Sequence, residues 1–189
     1  MRKLKLDELN RLSTEEFKKA NKMPIIIVLD NIRSAANVGS VFRTADAFLI
    51  QSIYLVGICA TPPNRDIQKA ALGATETVEW KYFENIEICL KVLKENACSI
   101  LAIEQSDSSV MLNDFTPKHT ATYALIFGNE VNGLLSTINN QDFLRSLQID
   151  KTAKNEIKRE LRYLGIGYKS INPDLDGICR SIQDHYDIS

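Results

Sequence analysis

This sequence predicts an α/β fold, with a mainly parallel sheet flanked by helices. Three observations carry the prediction. Residues 25–29 read Ile-Ile-Ile-Val-Leu, an unbroken apolar run that fits a strand buried on both faces. Further strand-like stretches at 52–56, 77–83, 99–103 and 122–127 alternate with helix-like ones, the pattern of a parallel sheet. Loops after two of these strands are rich in Gly, Asn and charge, as at the carboxyl ends where open sheets bind ligands.

In chain order, residues 1–22 read as a surface helix, with Ser13 and Glu16 at capping-box spacing and Pro24 ending the element. Asp30-Asn31 closes the first strand, and a helix follows over 38–47. After the strand at 52–56, Thr61-Pro62-Pro63-Asn64 is a turn cluster, and residues 66–72 are helical in character. The alternation over 77–83 predicts a third strand, and 86–96 a helix. The strand at 99–103 precedes the one at 122–127. Residues 144–149 are a candidate sixth strand, 152–164 a charged amphipathic helix and 178–186 a last short helix. The boundaries that follow are an N-terminal helical extension over 1–22, a catalytic-type domain over 23–150 and a C-terminal helical segment over 151–189.

The chain has 189 residues, 44% of them hydrophobic and 25% charged, which is globular composition and excludes wholesale disorder. Its 23 Lys+Arg balance 24 Asp+Glu, so it is not a basic nucleic-acid coat and has no polybasic membrane signature. No apolar run reaches the length of a membrane span, and the start Met1-Arg2-Lys3-Leu4-Lys5 has no signal-peptide core, so a cytoplasmic protein is expected. Cys59, Cys89, Cys98 and Cys179 form no CxxC pair. They are expected as reduced, mostly buried thiols with no metal bound. His119 and His185 read as surface residues, and Trp80, Tyr82 and Phe83 as core or dimer interface.

Chemistry concentrates in two stretches. One runs from Asp30 through Ala45 and contains Asn37-Val38-Gly39-Ser40-Val41-Phe42-Arg43-Thr44-Ala45. The other is Phe127-Gly128-Asn129-Glu130-Val131-Asn132-Gly133. Neither is a GxGxxG or Walker loop, which leaves a dinucleotide or triphosphate site without support. In purely structural terms, Arg43 also fits a surface arginine in an ion pair, Asn37 a helix N-cap, Gly128-Asn129 a turn and Glu130 a solvated charge.

Within the first stretch, residues 37–45 resemble motif 1 of the SpoU (TrmH-type) RNA 2′-O-methyltransferases, and residues 125–133, which contain the second, are similar to their motif 2. The order of the two and their separation of about 90 residues fit as well. Thr61-Pro62-Pro63, residues 69–74 and Ala102-Ile103-Glu104-Gln105 are also similar to segments of that family. The resemblance covers roughly residues 8–133. It implies a trefoil-knotted domain that dimerises, binds S-adenosylmethionine and methylates a ribose 2′-hydroxyl of tRNA or rRNA, with neither DNA nor a membrane as partner. By the same resemblance Arg43, Asn37 and Glu130 are the catalytic candidates. Phe127, Gly128, Asn129, Glu104 and Ile149 are the cofactor-binding candidates, and no metal is implied. Arg33, Arg65 and Lys69 are candidates for RNA phosphate contact. Arg43 suits orientation of the hydroxyl and stabilisation of developing oxyanion charge better than proton abstraction, because guanidinium stays protonated.

The pattern stops after motif 2. Residues 147–156 read Leu-Gln-Ile-Asp-Lys-Thr-Ala-Lys-Asn-Glu, without the Ser-Leu-Asn of the third motif, and a charged helix stands where a small apolar one would thread the knot. The alternative expectation is therefore a family member that docks RNA or dimerises but lacks a complete cofactor site.

Overall fold

The computed structural model describes residues 13–104, 109–128 and, for the backbone, 145–148. Helix α1 is Thr14–Lys19. It starts at Ser13, whose hydroxyl accepts from the Glu16 amide while the Glu16 carboxylate accepts from the Ser13 amide at 2.8 Å. The expected capping box is therefore present, but within the described residues the helix is one short element. It ends at Ala20, ahead of Pro24, and Pro24 is already the second residue of strand β1 (Met23–Asp30).

Helix α2 (Ala35–Ala47), strand β2 (Ile50–Val56), helix α3 (Arg65–Ala71), the single turn α4 (Ala74–Thr77) and strand β3 (Trp80–Phe83) follow. Helix α5 (Ile86–Glu95), strand β4 (Ser99–Ile103), the two-residue strand β5 (Val110–Met111), a 3-10 turn, strand β6 (Tyr123–Phe127) and strand β7 (Arg145–Gln148) complete the described elements. The expected strand over 77–83 is shorter than its alternation suggested. The Thr77 hydroxyl donates to Asp46 and to the Ala74 carbonyl, and these bonds hold 74–77 as a helical turn. The helices expected over 152–164 and 178–186 lie outside the described residues.

The strands form one seven-stranded sheet in the order β3-β2-β1-β6-β4-β7-β5, and each pairing is parallel. Central β1 shows why its sequence is a continuous apolar run. Ile25, Ile27 and Leu29 pack with Val38, Val41, Phe42 and Ile67 from α2 and α3 on one face. Ile26 and Val28 pack with Ile86, Cys89, Leu90 and Leu93 of α5 on the other. Both faces of a parallel sheet are covered by the crossover helices, so alternation disappears. None of the helices among the described residues is long and apolar enough to cross a membrane.

Candidate functional site

Register brings Phe127, Gly128 and Glu104 to one edge, beside the end of β1. Leu29 pairs with Leu55 on one side and with Phe127 on the other, Ala102 with Ile126, and Ile103 with Leu147. The carboxyl ends of β1, β6, β4 and β7 are thus level and adjacent. The chain runs outward from β1 to β2 and β3, then crosses back to β4, and β6 inserts between β1 and β4. That reversal is the topological switch point where parallel sheets bind ligands. Phe127 and Gly128 leave β6 there, and Glu104 leaves β4 next to them. Phe127 is half-buried and, with Ile103, leans on the α2-side core, so apolar surface borders the Glu104 position. Asn129, Glu130 and Ile149 lie outside the described residues.

Motif 1, residues 37–45, lies wholly within α2, into which the β1–α2 loop leads. The helix begins a turn earlier than the sequence suggested, because Ser34 is its N-cap and accepts from the Asn37 amide at 3.2 Å. Asn37 is therefore not the cap, and its side chain is exposed in the first turn. Arg43 is half-buried two turns on, and among the described residues its guanidinium has no ion-pair or hydrogen-bond partner. Six residues at about 100° each put Asn37 and Arg43 on different sides of α2, roughly 9 Å apart along the axis. Gly39 does not face a ligand: a Cβ there would stand 2.5 Å from the Ile67 carbonyl oxygen and 2.7 Å from the Ala70 Cβ, so α3 lies directly on it. Arg43 follows Gly39 by four residues and shares that side of the helix.

The loop leading into α2 is held by a group of contacts that no sequence pattern had marked. Asn31 stands at φ 54° and Gly57 at φ 65°. The Asn31 amide nitrogen Nδ2 donates to Asp30 at 2.8 Å, and its Oδ1 accepts from the Ile58 amide at 3.2 Å. A side chain at Gly57 would run into that oxygen. The Cys59 thiol donates to the Leu29 carbonyl at 3.1 Å and accepts from the Ile32 amide at 3.1 Å. Burial pushes that thiol up, and burial together with Asp30 pushes Cys89 up to about 12, so both are inert. The only legible signals were a polar Asp-Asn pair ending one apolar strand and a glycine directly after the next.

Asp30 itself is 3% exposed. Burial, then the charge of Glu87, raises its carboxyl above the ordinary range, against the opposing hydrogen bond from Asn31. The folded chain thus holds this proton more tightly than the unfolded one. The resulting stabilisation is complete below the unfolded aspartate value of about 3.9 and is lost as pH rises through the raised folded value. Asp30→Asn keeps an oxygen for Asn31 and removes the charge. Its stability relative to wild type is expected to increase as pH rises through that window. Urea midpoints for both proteins across the acid range check this, and a pH-independent difference refutes it.

The RNA-contact candidates divide by position. Arg33 is exposed in the β1–α2 loop, at the edge just described. Arg65 and Lys69 are exposed on α3, four residues apart and so on one side of that helix. Of the aromatic residues, Trp80 leans on the core and Phe83 stacks on Tyr54 at 5.0 Å. Tyr82 is instead half exposed, with its hydroxyl donating to the Gly57 carbonyl at 2.9 Å.

Comparison with known proteins agrees with this geometry. The profile of the SpoU rRNA Methylase family matches residues 24–154. The chain is 27% identical over 116 residues to the 23S rRNA (guanosine-2′-O-)-methyltransferase RlmB of Blochmanniella floridana, covering 61% of this chain and 44% of that one. It is 28% identical over 155 residues to an uncharacterized tRNA/rRNA methyltransferase of Borreliella burgdorferi, covering 75% and 65%. The chain therefore spans about half to two thirds of the length of these relatives. Among solved structures, the A. aeolicus TrmH/SpoU tRNA modifying enzyme superposes with a TM-score of 0.65 at 19% identity, covering 92% of this chain and 80% of that one. The AdoMet-bound rRNA methyltransferase of Sinorhizobium meliloti also superposes with a TM-score of 0.65 at 19% identity, covering 89% and 60%. A parallel sheet whose neighbouring strand ends carry the loop into motif 1 and the described part of motif 2, inside a matched span that takes in most of the chain, has one consequence: the chain belongs to the SpoU rRNA methylase family.

Proposed function

We propose that the chain is an S-adenosylmethionine-dependent methyltransferase acting on a ribose 2′-hydroxyl of tRNA or rRNA, as a cytoplasmic homodimer. The observation that carries the reading is the adjacency of β1 and β6, which brings the loop leading into motif 1 beside Phe127 and Gly128. The residues present suit the cofactor. Ile103 and Phe127 offer apolar surface for an adenine, Gly128 has no side chain to obstruct it, and Glu104 carries a carboxylate for a ribose or a cationic tail. When bound, S-adenosylmethionine would supply an electrophilic methyl group on a sulfonium for transfer to the ribose oxygen, with the thioether as leaving group and the hydroxyl proton passing to solvent. The chain's own part is positioning. Arg43, without a partner among the described residues, orients the 2′-oxygen and offsets the charge growing on it. Arg33, Arg65 and Lys69 hold phosphates.

Calorimetry with S-adenosylmethionine is expected to give micromolar binding. Labelled methyl groups are expected to enter bulk tRNA or rRNA and to be recovered as 2′-O-methylnucleosides. Several phosphate contacts would make RNA affinity fall steeply with salt, with a log–log slope of about 0.7–0.9 per contact. No heat at high cofactor concentration defeats the proposal. RNA binding without cofactor binding would instead favour a docking protein, the reading favoured by the absence of Ser-Leu-Asn over 147–156.

A further inference from the structure

We infer that Asn31 is a positioning residue of this site: gripped by Asp30 and gripping the backbone at Ile58, it fixes where the loop carrying Arg33 and the start of α2 stand at the sheet edge. The inference rests on the functional reading above for what the loop does, and on separate geometry for how the loop is held.

Two polar groups of Asn31 are engaged by the neighbouring β2 end and a third by Asp30, the last residue of its own strand. Its backbone amide donates to the Val56 carbonyl at 3.2 Å, its Nδ2 to Asp30 at 2.8 Å, and its Oδ1 accepts from Ile58 at 3.2 Å. The left-handed backbone at φ 54° aims the side chain across to the next loop, a conformation that asparagine tolerates better than most residues. Gly57 leaves the space the amide occupies, its amide donates to the Phe83 carbonyl at 3.0 Å, and its carbonyl accepts from Tyr82. The ends of β1, β2 and β3 are thereby one hydrogen-bonded unit.

The link from this unit to the catalytic helix is short. Ile32 is tied to Cys59, so Arg33 alone separates the held segment from Ser34, the cap of α2. On its far side α2 is seated on α3 through Gly39. A shift at Asn31 has little slack to absorb it before it reaches Asn37 and Arg43. Positioning errors of about 1 Å are enough to slow an oriented reaction roughly 100-fold.

The test uses the full chain and an exchange of partners. Asn31→Asp sets a second carboxylate against Asp30 where a donor stood. The double variant Asp30→Asn with Asn31→Asp restores one donor and one acceptor in reversed order. For Asn31→Asp, methyl transfer per cofactor-binding site is expected to fall about 10–100-fold, with the number of sites per chain unchanged and cofactor affinity within about twofold; the exchange recovers most of the rate. A purely structural role would show fewer binding sites with an unchanged rate per site, and would overturn the inference. So would an exchange variant no better than Asn31→Asp, or one that fails to fold where Asn31→Asp also fails. A wild-type chain that transfers no methyl group defeats the functional reading instead. In that case amide exchange at Asn31 and Ile58 decides: protection lost in Asn31→Asp and regained in the exchange supports the clasp, and unchanged protection overturns it.

Discussion

Gly39→Ala is expected to destabilise the protein by about 1–3 kcal/mol, even though alanine is the better helix former. The added methyl would sit 2.5 Å from the Ile67 carbonyl oxygen and 2.7 Å from the Ala70 Cβ. Neither neighbour is the free end of a flexible chain. One is backbone and the other is fixed to it, so relief requires α3 to move away from α2. That movement opens the interface against Val38, Val41 and Ile67, all of which are buried. For a chain of this size each kcal/mol corresponds to about 2–4 °C in Tm. Urea unfolding with Gly39→Ala and Gly39→Val checks the claim, and the valine variant should be worse. An unchanged or higher midpoint in Gly39→Ala would show that the two helices separate freely. The glycine of motif 1 then needs another explanation. Because Arg43 shares this side of α2, the same variants should also lose activity per folded molecule.

Arg43→Ala should reduce methyl transfer by about 100–1,000-fold, the usual effect of removing one preorganised group aimed at developing charge. Stability should change little, within about 0.5 kcal/mol, because the half-buried side chain has no partner among the described residues to leave behind. Cofactor affinity should hold, since the cofactor candidates leave β6 and β4 rather than α2. Arg43→Lys should recover little, because an ammonium lacks the planar fork that grips two oxygens at once. Steady-state kinetics beside a thermal melt separate these outcomes. Methyl transfer that survives Arg43→Ala removes the arginine from the chemistry.

The strands were legible where hydrophobicity is a local property. The runs at 25–29, 99–103 and 122–127 were identified to within a residue or two, because each is apolar over its length and a two-sided sheet demands that. Residues 77–79 misled because alternating Thr, Val and Glu fit a strand. The choice was made by Asp46, thirty-one residues away, which accepts from the Thr77 hydroxyl. Ser34 was missed as a cap since the capping interaction depends on where the preceding loop turns. Asn37, Arg43, Glu104, Phe127 and Gly128 were named from their pattern alone, and the structure adds only where each stands in the fold.

Amino-acid order by itself determined the class of fold, the family and the two stretches that resemble its motifs. It could do so because burial preference and functional-group chemistry reside in single side chains and short windows. The tertiary structure alone decided that β6 lies between β1 and β4, that Gly39 serves a helix contact, and that Asn31 is clasped from a loop twenty-seven residues away. Parallel pairing and close packing join segments far apart in the chain, and each such contact depends on the shape of both partners at once.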